Sequence, residues 1–483
     1  MVRELCLQGF IALHILLNKI NDYSRRQIIG FVLFLYFLCA FCSSGVQHPD
    51  EHFQIFPPLL AKLNGLKFSE LAWEYREKMR SYLLPAFFWT TSFLPQRLGL
   101  AGPFFTVILS RMTIAFLSVF STFVFCKNYF RENRILIMPS FLFLLLCWYV
   151  PFLHIRTSSE NFSFILFLVG TSIHLGRNQY NKYLAVFWTF FFFYLSFHSR
   201  MQNSLMILGF LFFNLKRFQA KDYFFAVIGT STALALSVAI DFWGYHEIVF
   251  TPWHYFYQNI ILKKSHIFGE MPVWYYFSST FLKSYVLFWP LFFWAVATYF
   301  YKFKKSLITF ILTPFIIGHL FIAHKELRFL SALYFFIPLM LFELWINPEI
   351  KTPKVFRPGK CYFILNLFFL AFATLVPASK DEDFYRALDF CMASDQNIYV
   401  DNKDFTLEMS FFNPKKITLA EFKLAPSGDY YFLATEYLSF LKTLERPGCS
   451  LLYSSYKPWI IQSLPLKVKG RSTVLGLFKC LRV

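Results

Sequence analysis

The chain has 483 residues, 57% of them hydrophobic and 22% aromatic, and only 16% charged. A soluble domain does not carry so much apolar residue on so little charge, and the apolar runs recurring along most of the length define a polytopic α-helical membrane protein. The formal charge of +19 would point a soluble chain toward nucleic acid, but here the excess lies in short loops between apolar runs, so it bears on membrane orientation and nucleic acid is excluded.

Residues 1–26 form a basic, amphipathic lead-in. No small-residue cleavage site follows the first apolar run, which argues against a secretory signal. About eleven spanning helices are expected, with cores at 27–46, 104–126, 135–153, 160–176, 182–197, 201–215, 222–242, 280–300, 306–323, 328–346 and 361–377. Several are shorter than the roughly 20 residues that cross a bilayer upright, so partial or tilted helices are expected among them.

Directly after the first run stands Gln47-His48-Pro49-Asp50-Glu51-His52-Phe53-Gln54. Ionisable groups are costly in hydrocarbon, so these acids belong at the membrane surface. Adjacent carboxylates flanked by imidazoles suit acid–base work on a substrate delivered from the lipid phase; a polar helix end is the plain alternative. His48 and His52 also have zinc-like spacing. No third clear ligand pair accompanies them, so no metal is expected.

The loop from 47 to 103 continues with Trp73-Glu74-Tyr75, Arg80-Ser81-Tyr82 and Pro85. Apolar residues at 83, 84, 87 and 88 predict an amphipathic helix lying on the membrane surface. Arg111 is the clearest intramembrane charge, expected to snorkel outward or line a cavity. At 154 the chain reads His154-Ile155-Arg156-Thr157-Ser158-Ser159-Glu160. Arg156 offers a fork that matches phosphate oxygens, while the Thr, Ser and Glu residues suit capping of the next helix. Arg200 and Gln202 read as helix-end polar groups. The loop after 240 holds Asp241, Trp243-Gly244-Tyr245, Thr251-Pro252-Trp253 and Trp274-Tyr275-Tyr276, whose aromatics stack on a sugar or lie at the interface. His324-Lys325-Glu326-Leu327-Arg328 places three cation-capable side chains between two spans, suiting a lipid phosphate head group or, more plainly, a charged hairpin.

After 377 the apolar runs shorten. Asn397 to Val400, Tyr430 to Ala434 and Ser450 to Tyr453 read as strands, so residues 378–483 are expected to form a small mixed α/β domain. Cys391, Cys449 and Cys480 supply one disulfide if that part is extracytoplasmic. The loops near Arg25, Arg131, Lys182, Arg217, Lys304 and Lys354 are all short and basic, hence cytoplasmic by the positive-inside rule. The alternating set, at 47–103, 154–159, 198–200, 243–279, 324–327 and beyond 378, is then extracytoplasmic. Every cluster that looks chemical falls in this second set. That suits an enzyme using a lipid-linked donor better than a transporter, which places ionisable groups near the bilayer midplane.

His-Pro-Asp-Glu-x-x-Gln, Trp-Glu-Tyr with Arg-Ser-Tyr-x-x-Pro, Arg-Thr-x-Ser-x-Glu, the Thr-Pro loop and His-Lys-Glu-x-Arg-Phe occur in one order between about 27 and 346. Together they resemble the dolichol-phosphate-mannose-dependent α-mannosyltransferases, which comprise GPI-anchor and N-glycan-precursor enzymes and their bacterial relatives. The resemblance implies a GT-C fold over 27–377 and transfer of mannose from a polyprenyl phosphate, with inversion, to a glycolipid or lipid-linked glycan. It implies Asp50 as general base, with Glu51 as a second acid or acceptor-orienting group. His324, Lys325 and Arg328 would meet the donor phosphate, supported by Arg80 and Arg156. His48, Gln54, Trp73, Glu74, Glu160, Asp241 and Trp274 would contact the sugar and acceptor. No cofactor is expected, the lipid-linked sugar being a substrate. The implied location is the endoplasmic reticulum membrane with a luminal site in a eukaryote, or the inner membrane with a periplasmic site in a bacterium. The competing readings are a GT-C enzyme for another polyprenyl-linked sugar and a transporter or flippase. The latter predicts internal repeats, and the sequence shows no clear one. The segment after 377 carries no matching motif.

Overall fold

The computed structural model describes residues 22–64, 68–99, 102–179, 181–283, 288–357, 359–379, 381–391, 397–400, 418–421, 428–435, 437–455 and 475–482. Most of the expected lead-in, residues 1–21, lies outside them. Each of the eleven expected cores contains helix. Among the described residues, four helices are long and apolar enough to cross a membrane: Ser24–Cys42, Pro103–Tyr129, Ala220–Tyr245 and Leu327–Ile346. The Trp289–Lys302 and Leu307–Phe321 helices form a further candidate span bent by 118°. The helix starts follow local chemistry. Pro103 sits in the first turn of its helix, where its missing N–H costs nothing. Ser158 accepts from the Asn161 amide, so the capping expected at that loop is present. Gln219 and Asp222 make a reciprocal capping box.

Two expected helices are broken. The 135–153 run divides into Ile137–Leu145 and Val150–His154. Asn366, from a neighbouring apolar helix, donates to the Leu146 carbonyl at 2.7 Å and accepts from the Trp148 amide at 3.0 Å. Backbone groups released inside an apolar bundle need such a partner. The 280–300 run divides into Tyr275–Lys283 and Trp289–Lys302, the second opened by Pro290.

The helices pack around a large aromatic core in which the Lys182–Ser199 helix touches both Ser159–Leu175 and Ala220–Tyr245. Gly229 lets the last pair approach so closely that a Cβ there would collide with the Phe187 backbone. The polar loops sort to two ends. At one end Asn128 donates to the Ser172 carbonyl, Arg131 to the Leu175 carbonyl, and Lys182 pairs with Asp222. At the other, the loops at 43–54, 80–82, 154–160, 198–200, 241–251 and 326–328 meet. The two loop sets separated by charge are therefore two ends of the bundle.

The C-terminal segment forms a mixed five-stranded sheet, ordered β2-β1-β3-β5-β4, from Asn397–Val400 (β1), Thr418–Glu421 (β2), Gly428–Ala434 (β3), Cys449–Ser454 (β4) and Gly476–Arg482 (β5). β1 lies parallel to β2 and β3; β5 runs antiparallel to β3 and β4. Cys449 and Cys480 face each other across β4 and β5 in a disulfide, and Cys391 is free. Ile398, Val400, Leu433 and Leu477 share one apolar core with Ile55, Phe56, Leu84 and Phe88 of the first long loop. The Leu83–Arg97 helix expected on the membrane surface thus buries Leu83, Leu84 and Phe88 against protein instead.

Candidate active site

Pro49 begins a one-turn helix, Asp50–Phe53, immediately after the first span. Consecutive helical residues point about 100° apart, and here that separates two carboxylates. The Asp50 side chain is 26% exposed, while Glu51 is 2% exposed and turned inward, its Oε1 accepting from the Gln47 amide at 3.2 Å. Burial pushes the Asp50 carboxyl up, but the His48 hydrogen bond and the Arg328 and Arg80 charges outweigh it and hold Asp50 well below the usual carboxylate range. Burial wins at Glu51, whose carboxyl is raised despite Arg156 and Arg111. Two adjacent acids with pKa values driven apart are a pattern of divided roles.

Arg328 is the hub. It contacts Asp50 at 2.6 Å, Glu160 at 3.2 Å and Glu326 at 2.5 Å. Each of these acids has a second neighbour, an arginine or a histidine. Glu160 pairs with Arg200 at 3.1 Å, Glu326 with His324 at 2.9 Å and His48 at 3.4 Å, and Asp50 lies 3.5 Å from His48. Burial pushes the Glu326 carboxyl up, but Arg328 and His324 hold it below its ordinary value. Beside this cluster Arg80 donates to Glu74 at 2.7 Å, and Gln54 donates to both Glu74 oxygens.

A cavity of about 480 Å³ opens against the cluster. One end is polar, formed by His48, Arg156, Ser158, Glu160, Glu326 and Arg328. The other is aromatic, with Trp148, Tyr149, Phe292, Tyr334 and Phe335. Such a space fits an amphipathic molecule with an anionic head.

The structure brings Asp50, His48, Glu160, Arg328 and the Gln54–Glu74–Arg80 group to one place, and leaves others aside. The Lys325 ammonium is held by the Met271 carbonyl, at 3.1 Å, and by the Ile322 carbonyl. His324 faces Glu326 and the Gly269 carbonyl. Asp241 is fully buried and binds a loop: it accepts from Ser81, the Tyr82 amide and Thr251, and meets His198 at 2.8 Å. Trp73 stacks on Phe268, and Trp274 is 69% exposed. Arg156 lines the cavity, but its nitrogens donate to the carbonyls of Phe152, Gly45 and Ser43. Arg111 neither snorkels nor lines that cavity; it is 2% exposed and meets Glu382 at 2.7 Å. A burial cost that large requires a paired acid, and the pair's 271-residue separation left no local signal. Arg200, expected as a helix-end charge, is the partner of Glu160. Glu326 carried no expected role, although its place between His324 and Arg328 was the available clue.

A bundle of apolar helices with a carboxylate–guanidinium cluster beside an amphipathic cavity fits a polytopic membrane protein, and the family match makes it a glycosyltransferase of GT-C type. The chain belongs to the Alg9-like mannosyltransferase family, whose profile matches residues 27–399. No curated protein matches it. Among solved structures it is similar to ArnT from Cupriavidus metallidurans bound to undecaprenyl phosphate, at 10% identity and a TM-score of 0.52, covering 95% of this chain and 98% of that one. The apo form of the same protein gives 9% identity and a TM-score of 0.48, covering 98% of each chain. At these identities the likeness concerns the fold.

Proposed function

We propose that this chain transfers mannose from a polyprenyl phosphate to a hydroxyl of a glycan or glycolipid, with inversion, on the extracytoplasmic face. The observation that carries the reading is Arg328, which lines the aromatic cavity and contacts Asp50 at 2.6 Å. The prenyl chain lies along the aromatic end, and the donor phosphate reaches Arg328. The acceptor oxygen attacks the anomeric carbon as its proton passes to Asp50. The anomeric C–O bond breaks, and its electron pair leaves on the phosphate, whose charge the guanidinium meets without a general acid. Arg328 also arms the base. While it faces Asp50, that carboxylate is ionised but weakly basic; a phosphate that claims the guanidinium returns basicity to Asp50 as the reaction begins. ArnT, bound to undecaprenyl phosphate, supports a polyprenyl-linked donor, and the family supports mannose. The Cys449–Cys480 disulfide supports placing the C-terminal sheet in an oxidising compartment.

The test uses membranes containing the full chain, radiolabelled polyprenyl-phosphate-mannose, and a panel of glycolipid acceptors with linkage analysis of products. An α-mannosylated product is expected. Transfer from another polyprenyl-linked sugar in its place would overturn the donor assignment, and transfer from none would overturn the reading.

A further inference from the structure

The segment that delivers Asp50 is held from behind by the far end of the chain. Ser43 to Val46 leads from the first span into the His48–Asp50 turn, and the start of the C-terminal segment grips it at four points. The Gly45 amide donates to the Glu382 carboxylate at 2.8 Å, and the Val46 amide to the Ser379 hydroxyl at 3.1 Å. The Ser44 carbonyl accepts from the Ala378 amide at 2.7 Å, and the Ser44 hydroxyl donates to Asp383 at 2.9 Å. On the other side Arg111 donates to the Gly45 carbonyl at 2.6 Å, and the same nitrogen meets Glu382 at 2.7 Å. Gly45 has φ of +78°, and a Cβ there would collide with the Ser379 backbone. Glu382 is fully buried, and it does not line the 480 Å³ cavity.

We propose that Glu382 is a positioning residue for the transfer reaction, fixing Gly45 and Arg111 so that the following turn holds Asp50 against the cavity, and that the C-terminal segment is thereby a working part of the active site. This rests on the function proposed above. The chemistry is specific. A buried guanidinium needs a charged partner, and the buried Gly45 N–H needs an acceptor. One carboxylate supplies both, through the same oxygen. With Arg111 anchored, its donation holds the Gly45 carbonyl, which Arg156 also reaches at 3.2 Å. Both faces of the peptide are then fixed five residues before the base.

Glu382→Gln keeps the size and one acceptor oxygen but removes the charge. A displaced catalytic group lowers turnover more than ground-state binding, so kcat should fall about 10- to 100-fold with the donor KM changing by less than about twofold. Amide exchange at residues 43–48 should rise by about tenfold or more, with the Pro103–Tyr129 helix unchanged. Glu382→Asp, which restores the charge, should recover part of both effects. Lys442→Ala, an exposed change in the same segment, should alter neither. If Glu382→Gln does not yield folded protein, Ser379→Ala, which removes the Val46 clasp, carries the same test. Turnover and exchange both near wild type in the folded variant would overturn the proposal, as would raised exchange with normal turnover. The exchange arm needs no donor. Wild type that transfers no mannose would therefore refute the proposed function, while unchanged exchange would refute this inference separately.

Discussion

Two arginine clusters flank the turn that carries Asp50, and they are built on opposite plans. On the cavity side Arg328 serves three carboxylates, each of which has another arginine or histidine within reach. Its side chain is 13% exposed. Behind the turn Arg111, and at the cavity wall Arg156, are spent on main chain: the carbonyls of Gly45, Ser43 and Phe152, with Glu382 as the acid. The difference separates two uses of one functional group. A guanidinium whose partners have alternatives can change partners when an anion arrives. A guanidinium committed to carbonyl oxygens in a dry site holds a backbone still, because releasing it leaves buried polar groups unsatisfied.

The sharpest way to break this comparison is at the shared turn. Asp50→Asn keeps the shape and removes the base, so single-turnover transfer should fall about 100- to 10,000-fold while donor binding persists. Glu51→Gln, on the inward side, should cost less. The reverse order, read in the same membranes at matched expression, would exchange the two roles.

Arg328→Ala probes the exchangeable side. Loss of a charge-assisted contact of about 1.5–3 kcal/mol should raise the donor KM about 10- to 150-fold. The pH profile gives a second readout. Asp50 is held well below its ordinary range by its neighbours, so wild-type kcat/KM should show no Asp50 limb as pH falls to about 4, the usual carboxylate value. Removing the Arg328 charge raises the Asp50 pKa, and the acid limb should move up to higher pH. An unmoved limb would mean that Arg328 does not set the state of the base.

The smallest effect is expected at Lys325, whose ammonium is tied to Met271 and Ile322 carbonyls. Lys325→Met should leave the donor KM within about twofold, because the contacts it loses are structural, and should lower the midpoint of thermal unfolding in detergent. A large rise in KM would return Lys325 to the phosphate site.

The sequence disclosed what depends on short range. The strands at Asn397, Tyr430 and Ser450 were legible because short runs of aromatic and aliphatic residues stand there between polar stretches. Charge alternation separated the loops into two sets, and contacts such as Asn128 with Ser172 and Arg328 with Asp50 join loops of the same set. Asp50, Glu160 and Arg328 stood out because polar residues are conspicuous beside apolar runs. What stayed hidden is pairing across the chain. Nothing local marks His198 as the partner of Asp241, Arg111 as the partner of Glu382, or Asn366 as the group that allows a helix break at Leu146. Each is a polar residue in an apolar run whose partner is supplied only by folding. The exposed aromatics of the 243–279 loop were equally ambiguous, since a tryptophan that stacks on sugar and one that rests on lipid have the same surroundings in sequence.

The grip of Glu382 on Gly45 joins residues 337 positions apart. A ribosome adding about 5–20 residues per second needs on the order of 20–70 s to pass from one to the other. Through that interval the first span and its acidic turn have already emerged, and the donor lipid shares their membrane. The turn gains its rear support only when the last apolar helix is finished and the segment behind it has folded back. On the positioning role proposed for Glu382, an unfinished chain lacks that support, so synthesis itself acts as a timer and the full rate waits for the chain's final quarter.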